Sequence, residues 1–155
     1  MDTMARLRPI VQRPRRISLA RGPAAAAEAR RQVLATIYAW DIPVDLDVAV
    51  LLTSELVTNA IRHEAGETIT LTITSVCGQL RVEVHDTSRT MPVIMDAPPD
   101  AEAGRGLMLV ASLSTDWGVH RTRSGKAVYF TLEFDLPEPG GSGDRRPRGG
   151  RAWVQ

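Results

Sequence analysis

The chain has 155 residues, 43% of them hydrophobic, and a formal net charge of +1. This is the size of one ordinary domain, with enough apolar material to bury a core without a disulfide or a metal. The near-neutral charge gives no support to a nucleic-acid binder, the single cysteine, Cys77, excludes an intrachain disulfide, and no apolar run approaches the roughly 20 residues that span a bilayer.

Cys77 has no evident base partner and reads as a bystander beside a turn. The polar, basic start Met1-Asp2-Thr3-Met4-Ala5-Arg6 lacks the apolar stretch of a secretory signal. With a lone thiol, the simplest setting is a reducing one, so the expectation is a cytoplasmic protein without membrane contact.

Composition divides the chain into three parts. Residues 1–16 form a basic arm with Arg6, Arg8, Arg13, Arg15 and Arg16. Residues 17–136 carry the periodic patterns of an ordered domain. Residues 137–155 are rich in Gly, Pro and Arg and have almost nothing to bury, which predicts a disordered tail.

Within the domain, Ile17-Ser18-Leu19-Ala20 predicts a short strand. Pro23 to Tyr38 is Ala-rich, with Val33, Leu34 and Ile37 at helical spacing and Pro23 in a first-turn position. Asp41-Ile42-Pro43 breaks the chain, and a second helix is expected from Val44 to His63. Thr68 to Val76 and Leu80 to Val84 alternate apolar and polar residues around Cys77-Gly78-Gln79, the pattern of a hairpin with one buried face. Residues 87–103, with Pro92, Pro98 and Pro99, read as a loop. Gly104-Arg105-Gly106 opens a third helix to Leu113, and Trp117–Arg121 with Ala127–Phe134 forms a closing hairpin around Ser124-Gly125. Helices grouped with antiparallel strands make an α+β two-layer sandwich, with about three helices on one face of a mostly antiparallel sheet.

The second helix carries a polar stripe. Glu55, Asn59 and His63 stand at i, i+4 and i+8, on one helix face flanked by Leu52 and Leu56. Such a stripe is often the solvated side of an amphipathic helix. A ligand is the other account: an amide oxygen can coordinate magnesium, and a nearby carboxylate can take a proton. His85 and His120 have no metal-ligand spacing, so no zinc site is expected.

Three blocks then resemble the GHKL ATPase/kinase family, which includes gyrase-type, histidine-kinase and MutL-type ATP sites, and within it the small anti-sigma-factor serine kinases. Glu55-Leu56-Val57-Thr58-Asn59-Ala60-Ile61-Arg62-His63 is similar to the family's N box. Val84-His85-Asp86-Thr87-Ser88 is similar to the first glycine box, and Gly104-Arg105-Gly106-Leu107-Met108-Leu109-Val110 to the second. The ending Trp117-Gly118 and Ser124-Gly125-Lys126-Ala127-Val128-Tyr129-Phe130 also fits this subgroup. The likeness spans residues 17–135 and implies the Bergerat ATP-binding fold.

The resemblance implies ATP and Mg2+ as cofactors. It makes Glu55 the general base, Asn59 the magnesium ligand, and Asp86 the acceptor for the adenine amino group. Gly104, Arg105, Gly106 and Leu107 would line the phosphates, with His63, Ser88 and Lys126 as further nucleotide contacts. Glycine admits close approach of backbone N–H groups to phosphate, and a helix start favours anions. Ser88 stands where the first glycine box often has glycine, which changes the freedom of that turn.

For function, the resemblance implies a serine/threonine kinase acting on an anti-sigma-factor antagonist, with a sigma factor as a second partner and a homodimer as the assembly. A non-catalytic, nucleotide-responsive binding module is the alternative. A third and weaker reading is nucleic-acid binding through the arginine-rich ends, for which a solvated tail is the commoner account.

Overall fold

Alternating side chains set the sheet, and helical stripes set the layer that covers it. The computed structural model describes residues 11–62, 68–87 and 102–136. Its elements in chain order are β1 (Val11–Ala20), α1 (Ala25–Ala39), α2 (Leu46–Arg62), β2 (Thr68–Val76), β3 (Gln79–Asp86), α3 (Glu102–Leu113), β4 (Asp116–Arg121) and β5 (Lys126–Glu133). The strands form one sheet in the order β1-β2-β3-β5-β4, and every neighbouring pair is antiparallel. This is the α+β two-layer arrangement expected from the sequence.

One face of the sheet is apolar. Leu19, Ile69, Leu71, Ile73, Leu80, Val82, Val84, Val128 and Phe130 are all buried there, each at the period of two that a strand imposes. The helices supply the other half of the core: Ala29, Val33 and Ile37 from α1, Leu52, Leu56, Val57 and Ala60 from α2, and Leu107 and Val110 from α3. α1 packs over β1 and β2, α2 over β3 and β5, and α3 against α2 and β4. The central helix therefore lies on the central strand, β3, and on its neighbour β5.

Local chemistry fixes the boundaries. α2 begins at Leu46 rather than Val44 because Asp45 caps it: Val48 N donates to Asp45 Oδ1 at 3.0 Å. At its other end Arg21 Nη2 donates to the Ile61 carbonyl at 3.0 Å. β2 and β3 join through Cys77 (φ 48°) and Gly78 (φ 78°), the two left-handed residues of a tight hairpin turn.

Two expectations need correction. The short strand predicted at Ile17–Ala20 starts at Val11, so it runs into the stretch read as a basic arm. Arg15 makes this workable: its guanidinium faces the helix layer and donates to Thr36 Oγ1 and Gln32 Oε1, both at 3.1 Å. The third helix starts at Glu102, not after the glycines. Gly104, Arg105 and Gly106 lie inside its first turns, because Glu102 and Ala103 are good helix formers that extend it backwards. The loop expected at 87–103 falls mostly outside the described residues, and both predicted tails contribute only residues 11–16 to them.

The second face of the sheet is polar and centres on Glu83. Its carboxylate accepts from Arg81 Nη2 at 2.6 Å and lies 3.3 Å from both His85 Nε2 and His120 Nε2. Arg81 also stacks on the Tyr129 ring, 3.7 Å from its centroid. The hydrogen bond from His85 comes first among the contacts that hold the Glu83 carboxyl down to about 2, and Arg81 and His120 assist it against partial burial. A depressed carboxylate contributes stability above its unfolded value of 4.5 and loses it as pH falls towards about 2. Glu83→Gln should therefore remove part of the loss in unfolding free energy across that window. Parallel acid titrations of the two proteins by circular dichroism measure it, and identical curves would show that the cluster carries no pH-linked stability.

Candidate nucleotide site

The candidate site is assembled at the ends of β3 and β5, beside the C-terminal half of α2. α2 brings Glu55 and Asn59 one turn apart on one side of the helix. Asn59 is only 6% exposed, so at this position the stripe is not a solvated helix face. Among the described residues its Nδ2 is buried without a hydrogen-bond partner. A buried amide in that condition is costly, by about 1–3 kcal/mol, so the site favours a ligand with oxygen atoms to meet it. Glu55, by contrast, is half-buried and keeps access to solvent.

Asp86 closes β3. Its register partner on β5 is Lys126. Both side chains are fully buried, and Lys126 Nζ stands 3.8 Å from Asp86 Oδ2. Burial pushes the Lys126 ammonium below the ordinary lysine range, while the Asp86 charge and hydrogen bond oppose that shift.

Gly125 makes this pairing possible. A Cβ there would run into the Asp86 carbonyl oxygen and sit 2.7 Å from the Thr87 carbonyl carbon. Its N–H donates to Thr122 Oγ1 at 3.0 Å, which closes the turn between β4 and β5. Gly125→Ala should lower stability by about 1–3 kcal/mol, as overpacking does. Chemical unfolding tests this, and a wild-type midpoint would mean that the neighbouring backbone moves aside at no cost.

The structure brings some of the residues singled out in the sequence onto neighbouring elements. Asn59, Glu55, Asp86 and Lys126 sit on elements that pack together, since α2 lies on β3 and β5. Gly104, Arg105 and Gly106 belong to α3, which packs on α2. Leu107 is 2% exposed and part of the core, so its side chain serves packing. His63 and Ser88 lie outside the described residues. Gly125 read only as a turn signal; a glycine placed directly before a strand was the one available hint that backbone from elsewhere comes close.

The arrangement of three helices on a five-stranded antiparallel sheet matches a known family. The sequence model of the histidine kinase-like ATPase domain matches residues 10–132. This chain belongs to that family. The ATPase domain is also similar to a solved structure, that of the RsbU and RsbW domains of Rv1364c from Mycobacterium tuberculosis, at a TM-score of 0.59 and 20% identity. The match covers 79% of this chain but only 32% of that one, so it shows a common fold within a much longer protein. No curated protein matches the chain. Membership in the family implies that the domain binds ATP. Among the described residues of this ATPase domain, no helix is long and apolar enough to cross a membrane.

Proposed function

We propose that the chain is a regulatory serine/threonine kinase that transfers the terminal phosphoryl group of ATP to a hydroxyl of an anti-sigma-factor antagonist, and that it also restrains a sigma factor. The observation that carries the reading is the buried Asn59 amide with the half-buried Glu55 one turn away. The likeness of the three sequence blocks to the anti-sigma-factor kinases supplies the class of partner.

The residues fit ATP and magnesium in kind. Asn59 offers Oδ1 to a hard cation and an unmet Nδ2 donor to an oxygen. The first turn of α3, which reaches Gly104, favours phosphate through its free backbone N–H groups and the positive helix end. Asp86 offers its carboxylate to the adenine amino group. When bound, ATP supplies the phosphoryl group and magnesium the countercharge. Glu55 would then accept the proton that leaves the partner's serine or threonine hydroxyl as that oxygen bonds to the terminal phosphorus, while the bond from this phosphorus to the bridging oxygen breaks and ADP leaves.

Incubation with radiolabelled ATP, magnesium and candidate antagonist proteins encoded nearby tests the reading. Label on the partner, and none without magnesium, is the expected result. ATP binding with no transfer to any partner would replace the kinase by a nucleotide-responsive binding module.

A further inference from the structure

The Asp86–Lys126 pair raises a question that ATP binding alone does not answer. Two opposite charges fully buried at the end of a sheet are a poor way to stabilise it. Their desolvation consumes most of their attraction, and an apolar pair of similar volume would hold the strands as well. Lysine is also among the side chains rarely found fully buried. Yet Lys126 lies at zero exposure directly across from Asp86 in the β3–β5 ladder, and Gly125 lets the Asp86–Thr87 backbone come close to the start of β5. Asp86 is the residue that the proposed function sets against the base, and Lys126 is its buried ion-pair partner.

Purines differ at position 6 in hydrogen-bonding sense. Adenine carries an amino donor there, and hypoxanthine a carbonyl acceptor. A carboxylate accepts only, whereas a carboxylic acid can also donate. An ammonium within 4 Å favours the ionised form, and its removal from a buried site favours the protonated one.

We infer that Lys126 is a positioning residue for base selection: its ammonium keeps Asp86 a pure acceptor, so the site takes 6-aminopurine nucleotides and rejects 6-oxopurine nucleotides. This rests on the ATP-binding reading above and extends it to the basis of nucleotide choice. A site built to accept from an amino group leaves its acceptor facing a carbonyl when the oxo base enters, and such mismatches discriminate strongly.

The test uses the full chain, magnesium, and calorimetric titration with ATP and with inosine triphosphate, which differ in the group at position 6 and in the proton that hypoxanthine carries on N1. The wild type should prefer ATP by at least about tenfold. Lys126→Arg keeps a cation and should keep that preference. Lys126→Met should lose it, the ratio of the two dissociation constants moving towards one or inverting. Lys126→Gln, neutral but polar, should behave like Lys126→Met and serves where the methionine protein does not fold. A purely structural lysine would weaken both nucleotides equally, so a wild-type ratio in the folded neutral variants overturns the inference. A wild type that binds both nucleotides equally also overturns it while leaving nucleotide binding intact. A wild type that binds neither removes the ATP reading and the inference together.

Discussion

Asn59→Ala should weaken magnesium-dependent ATP binding by about 10- to 100-fold while leaving the nucleotide-free fold nearly as stable as before. The binding loss follows from removing one polar contact to a charged ligand group, worth about 1.5–3 kcal/mol. The stability result follows from burial. The wild-type chain carries the cost of an amide whose Nδ2 has no partner among the described residues. Alanine removes that cost and leaves a small cavity in exchange, so the unfolding free energy should stay within about 1 kcal/mol of wild type. A residue kept at the expense of stability is the signature of a functional position. Calorimetric titration with ATP, with and without magnesium, and chemical unfolding measure the two halves. Unchanged ATP affinity would remove Asn59 from the site, and a large loss of stability would return it to an ordinary packing role.

Glu55→Gln should separate binding from chemistry. The substitution keeps shape and hydrogen-bonding reach and removes only the ability to take a proton. ATP affinity should remain close to wild type, and phosphoryl transfer to a partner should fall by about 10²–10⁴-fold. The half-exposed position of Glu55 suits this role, because a partner's hydroxyl has to reach it from solvent. Undiminished transfer in the variant would place the base elsewhere.

Much of the fold was legible because it rests on period and punctuation. β2 runs over Thr68–Val76, the span its alternation indicates, and Cys77-Gly78 turns it with the φ values that such a turn demands. Asn59 was legible because an amide in mid-helix, four residues from a carboxylate, departs from the surrounding apolar pattern. What escaped depends on contacts across the sheet. Arg15 looks like part of a solvated arm until Thr36 and Gln32 are seen to receive it. Lys126 looks like a turn lysine until the register sets it against Asp86. Register between strands distant in sequence is not written in either strand, and neither is the approach of Thr87 to Gly125.

The sheet order has a last consequence. β3 and β5 are hydrogen-bonded neighbours, yet α3 and β4 intervene between them in the chain. The proposed base pocket is therefore a long-range closure, completed only when the final hairpin docks on the earlier one, and such closures carry a loop-entropy cost that slows their formation. A nucleotide that needs both Asp86 and Lys126 would bind the finished domain and no half-folded precursor. Its presence would act as a latch, slowing the undocking of the C-terminal hairpin more than any other opening of the molecule.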